Sequence, residues 1–222
     1  MEEQIDNFNT IKTQQLKPQL QGKTESFLAK SLFLVSMGSN DYINNYLLPF
    51  STKPSNYTPD AFSNLLIRNY HKQLMKLYEM GGRKFLVVGM GPLGCMPNQI
   101  ANSGCRSDSC VDKTNKLAAQ FNAKLKSTLN ELNRSLRVPS FLYWDAYAST
   151  MKIINNHTYY GFKYEHKACC GLGNSKGQIL CLPLLQCQNR SEYVFWDPFH
   201  PTDAFNAIVA NQALTAFKKT FS

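Results

Sequence analysis

Three short, mainly apolar runs divide the chain and have the pattern of buried strands. They are Leu32–Met37, Lys84–Gly89 and Ser140–Asp145. Their apolar residues are continuous rather than alternating with polar ones, which is typical of strands that are covered on both faces in a parallel sheet. The pattern therefore predicts three central strands of one sheet.

Two long segments between these runs have apolar residues at helical spacing. Apolar residues recur every three or four positions from Phe62 to Leu77 and again from Leu117 to Leu136, which indicates amphipathic helices. Thr58-Pro59-Asp60 supplies a capping side chain, a proline at the first helical position and an acid in the first turn. Gly81-Gly82 is expected to end that helix.

Strands that alternate with helices indicate βαβ units and a parallel sheet with right-handed crossovers. The first thirty residues are predicted to form a helix that ends at Pro18, and a last helix is predicted to begin near Thr202. Residues 155–195 are expected to be irregular. Because the chain contains no repeat and no linker, we predict one α/β domain over residues 1–222.

The distribution of charge and hydrophobicity excludes several classes of function. The formal net charge is +9, but the basic residues are scattered, in pairs at most such as Arg83-Lys84. A nucleic-acid groove needs clustered basic residues, so no nucleic-acid partner is expected. The sequence has no run of apolar residues long enough for a membrane-spanning helix. The N-terminus, Met1-Glu2-Glu3, is acidic and does not resemble a secretory signal peptide.

The cysteines and glycosylation sequons indicate an oxidising compartment. Seven cysteines occur without any C-x₂-C spacing, so no metal site is expected. Cys105 and Cys110 flank a short polar loop and are predicted to form a local disulfide. Four sequons point to the secretory pathway, at Asn56, Asn133, Asn156 and Asn189. Since the N-terminus lacks a signal peptide, the sequence is expected to lack its natural beginning.

Two polar groups follow predicted strands, where ligands bind in parallel sheets. The first is Gly38-Ser39-Asn40, directly after the first strand. Glycine allows close approach of the backbone to a ligand, and the Asn40 amide is a neutral donor that could face a developing oxyanion. The alternative is an ordinary turn, for which the same residue types are typical.

The second group is Asp197 and His200, which are separated by Pro198 and Phe199. A general base needs an imidazole whose Nδ1 is held by a partner, and a local turn could bring the two side chains together. The alternative is that His200 caps the last helix and Asp197 makes a turn.

The remaining candidates for chemistry are weaker. His71 lies within a predicted helix and His157 within a sequon. His166 follows Glu165 directly, and adjacent side chains on an extended loop are expected to diverge. The glycine pairs Gly89–Gly91 and Gly171–Gly173 do not lead into helices, which excludes a dinucleotide-binding site.

Four stretches, taken in order, carry a family resemblance. They are residues 34–42 (LVSMGSNDY), 89–97 (GMGPLGCMP), 168–173 (ACCGLG) and 197–202 (DPFHPT). With these motifs the chain resembles the plant GDSL-type esterase/lipase family of the SGNH hydrolase superfamily, over essentially all of its 222 residues.

The resemblance implies a three-layer α/β/α, flavodoxin-like fold with a parallel sheet. It implies that Asn40 is an oxyanion donor presented by Gly38, that His200 is the general base and acid, and that Asp197 orients His200. The family's serine nucleophile lies in a Gly-Asp-Ser block that this sequence does not contain, and a glycine of the second block is missing as well. Ser36 and Ser39 lack that context, so no nucleophile is expected in this chain.

The missing blocks also have an expected structural consequence. In the family the first strands would flank Leu32–Met37, so this run is expected to be a sheet edge with partly uncovered apolar faces, prone to pair with a partner chain or to aggregate.

The resemblance thus implies a carboxylic-ester hydrolase that works through a serine acyl-enzyme on lipid or other acyl esters, without a cofactor or a metal. An extracellular or secretory location is implied as well. The first alternative is a catalytically dead remnant that acts as a binding or regulatory protein. The second is a cysteine-rich secreted structural domain, in which the two motifs would be coincidental.

Overall fold

The computed structural model describes residues 1–48, 51–104 and 109–221. The chain divides into two compact units. The first comprises Met1–Gly89, Gln120–Trp144 and Thr220–Ser222, and the second comprises Met90–Ala119 and Asp145–Lys219. The single domain expected from the sequence stays a prediction, and each unit is described by itself.

A three-stranded parallel sheet organises the first unit. Its strands are β1 (Leu32–Ser36), β2 (Lys84–Val88) and β3 (Phe141–Trp144), in the order β1-β2-β3. Leu34 pairs with Leu86 and Leu86 with Leu142, so the three predicted strands lie in parallel register. The predicted α/β class with a parallel sheet is confirmed.

Ten α-helices accompany the strands in the described part of the chain. In chain order they are α1 (Glu2–Ile11), α2 (Lys17–Leu20), α3 (Thr24–Lys30), α4 (Ser39–Asp41), α5 (Lys53–Asn56), α6 (Pro59–Glu79), α7 (Pro97–Ala101), α8 (Asp112–Ser135), α9 (Ala146–Asn155) and α10 (Asp203–Phe221). None of these helices, within the residues described, combines the length and hydrophobicity that a membrane crossing requires.

The start of α6 matches the sequence signals. The Thr58 hydroxyl accepts a hydrogen bond from the Ala61 N–H at 3.2 Å, and Pro59 is the first helical residue. Beyond the other end, Gly81 has a φ of 114°, a backbone conformation that favours glycine. The long helix predicted between the first two strands is therefore confirmed at both ends.

The prediction that the first helix ends at Pro18 is wrong. A π-helical segment, Lys12–Leu16, joins α1 to α2, and Pro18 lies in the first turn of α2. The helical backbone continues through Leu16 and Lys17, where the Lys17 N–H donates to the Lys12 carbonyl. The helical path ends instead at Gln21, which has a left-handed backbone.

One face of β1 is exposed, as the sequence led us to expect. Among the described strands β1 pairs only with β2 and forms an edge of the sheet. Leu34 is 64% exposed and Leu32 is also exposed. On the opposite face Phe33 packs against Phe85 with ring centroids 5.0 Å apart.

The second unit contains a small sheet that the sequence did not predict. β4 (Tyr164–Ala168) pairs in parallel with β5 (Tyr193–Phe195), both within the segment expected to be irregular. Seven buried side chains of this unit form a hydrophobic core, namely Cys95, Ile153, Ile154, Phe162, Val194, Phe195 and Phe205.

Three disulfides stabilise the second unit. They join Cys95 to Cys110, Cys169 to Cys187 and Cys170 to Cys181. The predicted Cys105–Cys110 bond is therefore wrong, and Cys105 lies outside the described residues.

The Cys95–Cys110 bond follows from two hydrogen bonds nearby. The Gly94 N–H donates to Asn115 Oδ1 and the Val111 N–H donates to the Gly94 carbonyl, both at 2.8 Å. These bonds hold the 3₁₀ turn Leu93–Cys95 against the start of α8, which brings Cys110 to Cys95.

Candidate active site

A tight turn between β5 and α10 holds the first pair of candidate residues. The His200 carbonyl accepts the N–H groups of Trp196 at 2.8 Å and Asp197 at 3.3 Å. Phe195 and Pro201 form an antiparallel bridge across the base of the turn. The backbone therefore folds back so that residues 197 and 200 face each other.

The side chains of Asp197 and His200 are in direct contact. His200 Nδ1 lies 2.9 Å from Oδ2 and 3.0 Å from Oδ1 of Asp197. An ionised carboxylate can only accept hydrogen bonds, so Nδ1 carries the proton and donates a hydrogen bond to Asp197. Nε2 then has a free lone pair. The His200 side chain is 74% exposed, whereas that of Asp197 is largely buried.

Backbone groups hold Asp197 in place. Its Oδ1 accepts the N–H of Phe199 at 2.8 Å and that of His200 at 2.7 Å. The turn is also tied to α7, because the Asn98 N–H donates to the Pro198 carbonyl at 3.0 Å. Asp197 therefore makes the turn and orients the imidazole at the same time.

Thr202, not His200, caps α10. The buried Thr202 hydroxyl donates to the Tyr193 carbonyl at 2.8 Å and accepts the Phe205 N–H at 3.2 Å. The alternative in which His200 is the helix cap is therefore wrong.

Gly38 and Asn40 lie in a turn directly after β1, in the first unit. Gly38 has a φ of 120°, which favours glycine, and its carbonyl accepts the Asp41 N–H at 3.1 Å. This hydrogen bond lies at the start of the short helix α4. The Asn40 side chain is exposed and has no hydrogen-bond partner among the described residues, so its amide is available to a ligand.

A cavity of about 160 Å³ lies beside this turn. Met37, Gly38 and Asp41 line it together with four residues of α6, Leu66, Asn69, Tyr70 and Gln73. Burial raises the pKa of the Asp41 carboxyl above its ordinary value. The turn therefore borders a partly desolvated space that contains an ionisable group.

A second cluster of titratable groups was missed by sequence reasoning. Glu165 Oε2 lies 3.5 Å from His157 Nε2, and Glu165 Oε1 lies 3.6 Å from His166 Nδ1. The expectation that Glu165 and His166 diverge is wrong, since the flexible glutamate lies within ion-pair distance of both histidines. A cavity of about 450 Å³ is lined by residues 164–167 and 173–175.

The pattern Gly-x-Ser-x-Gly was also overlooked at residues 173–177, Gly-Asn-Ser-Lys-Gly. In esterases with this motif the serine lies on a sharp turn from a strand to a helix. Here Ser175 lies in a single 3₁₀ turn, Asn174–Lys176, with a φ of 47°. It lines the same cavity as His166. The pattern is present without the backbone context in which it presents a nucleophile.

Cys95, Cys110 and His166 are also neighbours, and Cys110 Sγ lies 3.3 Å from His166 Nε2. The two sulfurs are bonded to each other, so neither is a thiolate that could bind a metal.

Comparison with known proteins identifies relatives over almost the whole chain. The GDSL esterase/lipase At5g08460 of Arabidopsis thaliana is 40% identical over 98% of this chain and 58% of its own length. The GDSL esterase/lipase At1g71250 of the same plant is 42% identical over 96% of this chain and 58% of its own length. The chain thus spans somewhat more than half the length of these curated relatives.

A more distant likeness adds nothing to this comparison. A solved structure of a gut microbial diltiazem-metabolizing enzyme covers 88% of this chain and 36% of its own, with a TM-score of 0.42 and 11% identity. That likeness is too weak to support an argument.

The family model described as GDSL-like Lipase/Acylhydrolase matches residues 1–213. With this match and the identities above, the resemblance seen in the motifs is confirmed: the chain belongs to the GDSL-like lipase/acylhydrolase family, whose members are esterases and lipases.

Proposed function

We propose that this chain supplies the general base, its orienting carboxylate and an oxyanion donor for the hydrolysis of carboxylic esters. His200 is the base and acid, Asp197 orients it, and Asn40 is the donor that Gly38 presents. The substrates are lipid or other acyl esters. The observation that supports this proposal most directly is the contact of His200 Nδ1 with both Asp197 oxygens, at 2.9 and 3.0 Å.

The geometry suits proton transfer through Nε2. With its proton on Nδ1, the imidazole can accept a serine proton at Nε2 as the hydroxyl attacks the ester carbonyl. The adjacent carboxylate stabilises the imidazolium that forms. Nε2 then returns the proton to the leaving alcohol, and a second cycle with water releases the acid. The Asn40 amide would donate to the oxyanion of each tetrahedral intermediate.

We further propose that the 222-residue chain alone does not turn over esters. No serine of the chain lies in a Gly-Asp-Ser block, and Ser175 lies in a 3₁₀ turn. A water molecule activated by His200 would lack the orientation that a tethered hydroxyl supplies. If the fold is retained without catalysis, the alternative function is that of a binding or regulatory protein.

The first experiment asks whether the chain contains a nucleophile. The purified chain is treated with a fluorophosphonate probe and assayed with p-nitrophenyl acetate. We expect no stoichiometric labelling and no turnover above that of the His200→Ala variant. Labelling that Ser175→Ala, Ser36→Ala or Ser39→Ala removes would identify an internal nucleophile and contradict the proposal.

The second experiment tests the acid–base pair. A chimera places the Gly-Asp-Ser segment of a curated relative before Met1, and its hydrolysis of a p-nitrophenyl ester is measured. We expect His200→Ala to lower kcat/KM by at least about 10³-fold. His71→Ala, which alters an exposed histidine on α6, is the matched control. Equal rates for the two variants would refute the role of His200.

A secretory or extracellular location is also proposed. Three disulfides and four sequons support it, since such cross-links persist in oxidising compartments.

A further inference from the structure

An exposed cluster of aliphatic side chains lies on the cysteine-rich segment of the second unit. The stretch from Gly177 to Cys187 is named the leucine loop. Leu184 is 96% exposed, within the loop's apolar run of residues 179–185. The other exposed members of the cluster are Leu172, Ile179, Leu180 and Leu182. Soluble surfaces rarely group so many large aliphatic side chains, which makes the cluster a candidate interaction site.

Covalent and hydrogen bonds hold the leucine loop in its exposed position. The Cys169–Cys187 and Cys170–Cys181 disulfides fix it at two points. Lys176 Nζ donates to the Cys169 carbonyl at 3.0 Å and is 3.5 Å from the Leu185 carbonyl. These bonds restrain the loop from folding over its own apolar side chains.

The charges around the leucine loop are mainly positive. No charged residue occurs from Gly177 to Asn189, and Lys176 and Arg190 flank this stretch. Burial lowers the pKa of Lys176, and the nearby Lys167 of β4 lowers it further. Arg190 pairs with Asp203 at 3.2 Å, so the exposed lysines Lys163 and Lys167 supply the net positive charge near the loop. An uncharged aliphatic loop therefore lies beside exposed lysine side chains.

We propose that the leucine loop is a docking site for an anionic lipid surface. Aliphatic side chains next to lysines suit the boundary between acyl chains and acidic headgroups, and the formal net charge of the chain is +9. A protein partner would be expected to contact aromatic or arginine side chains, and the leucine loop has none. Leu184 also protrudes, which suits insertion between acyl chains better than contact with a flat protein surface.

The leucine loop satisfies part of its own backbone, as a segment that enters a lipid interface must. The Leu185 N–H donates to the Leu182 carbonyl at 2.9 Å, which closes the 3₁₀ turn Pro183–Leu185. Pro183 has no N–H to satisfy. The Cys187 N–H donates to the Cys169 carbonyl at 3.0 Å.

The base of the leucine loop adjoins the acid–base turn. The Cys169 N–H donates to the Phe195 carbonyl at 3.0 Å, and the Cys170 N–H donates to the Trp196 carbonyl at 2.7 Å. Trp196 immediately precedes Asp197. A lipid surface bound at the loop would therefore lie near His200, and this consequence alone rests on the proposed function.

Vesicle sedimentation tests the docking without any catalytic readout. The 222-residue chain is mixed at low salt with phosphatidylcholine vesicles, with and without phosphatidylglycerol. We expect it to sediment with the anionic vesicles and to be released by salt. Leu184→Asp should lower the partition coefficient by about tenfold or more. Val138→Asp is the matched control, since it alters a side chain of the first unit that is 65% exposed, and it should leave the partition coefficient unchanged.

A fluorescent variant reports insertion directly. Leu184→Trp should gain emission that shifts to the blue on anionic vesicles and is quenched by brominated lipids. Near-ultraviolet circular dichroism verifies that each variant keeps the wild-type fold. The proposal is overturned if the chain stays in the supernatant or if Leu184→Asp binds as well as Val138→Asp. It is also overturned if light scattering shows a dimer that Leu184→Asp dissociates while vesicles do not bind, since the loop would then join two copies of the chain.

Discussion

Replacing Tyr42 with phenylalanine should stabilise the protein. The Tyr42 side chain is fully buried, and its hydroxyl has no hydrogen-bond partner among the described residues. Its ring packs edge-on against Phe62, with centroids 5.2 Å apart, and phenylalanine would keep this contact. Burial also raises the pKa of Tyr42 well above its ordinary value, because a charge at this position would be poorly solvated.

The expected gain follows from the cost of an unpaired buried hydroxyl, about 1–3 kcal/mol. For a chain of this size each kcal/mol shifts Tm by about 2–4 °C. Tyr46 is the matched control, because its hydroxyl donates to the Tyr57 carbonyl at 3.1 Å. Tyr46→Phe removes this bond and should cost about 0.5–1.5 kcal/mol.

Urea and thermal unfolding, followed by circular dichroism, measure both variants under the same conditions. We expect changes of opposite sign in the free energy of unfolding. If Tyr42→Phe destabilises the protein as much as Tyr46→Phe does, the Tyr42 hydroxyl has a partner such as ordered water, and the reasoning is wrong.

Three further predictions follow from other contacts. Burial raises the pKa of Asp41 in the folded state, so the stability that its protonated carboxyl contributes is lost as pH rises through the folded-state pKa. Asp41→Asn should therefore raise the free energy of unfolding at neutral pH and have no such advantage in acid, where Asp41 is protonated in both states. Unfolding curves measured across pH test this. A Cβ at Gly94 would lie 2.2 Å from the Val111 carbonyl oxygen, so Gly94→Ala should lower the unfolding free energy by at least about 2 kcal/mol. In a eukaryotic secretory host, mass spectrometry should find a glycan on exposed Asn56 but not on Asn133, whose amide nitrogen donates to a backbone carbonyl at 2.7 Å; a glycan on Asn133 would contradict this contact.

The long elements of the fold could be predicted because their signals are local and strong. All three strands of the first sheet are mainly apolar runs, and the start of α6 has its capping threonine and proline in adjacent positions. The strands β4 and β5 could not be predicted in this way. β4 contains Tyr, Glu, His, Lys and Ala and so has no apolar run, and the apolar run of β5 is only three residues long.

The errors concern contacts between residues distant in the sequence. Cys105 lies near Cys110 in the chain, but Cys110 pairs with Cys95, whose turn is held to α8 by hydrogen bonds to Gly94. The spacing of cysteines in the sequence gives no information about those hydrogen bonds. The contacts of Glu165 with two histidines depend on the position of β4, which was itself not predicted.

Two sequence patterns in this chain are typical of serine hydrolases, the Asp197–His200 pair and the Gly-x-Ser-x-Gly pattern at residues 173–177. They differ in how much their geometry depends on the secondary structure around them. Asp197 and His200 are three residues apart, and the turn that joins them is closed by Asp197 itself, which accepts two N–H groups of the same turn. The residues proposed to perform the chemistry therefore also hold the turn together. The residue pattern alone left the cap-and-turn alternative open, and the family resemblance was what favoured their contact. The pattern at residues 173–177 supplies no such geometry, because a serine between two glycines becomes a nucleophile only where a strand and a helix expose it. Ser175 has neither element, since a 3₁₀ turn surrounds it. A motif that builds its own turn is thus stronger evidence for a site than a motif that depends on the elements around it.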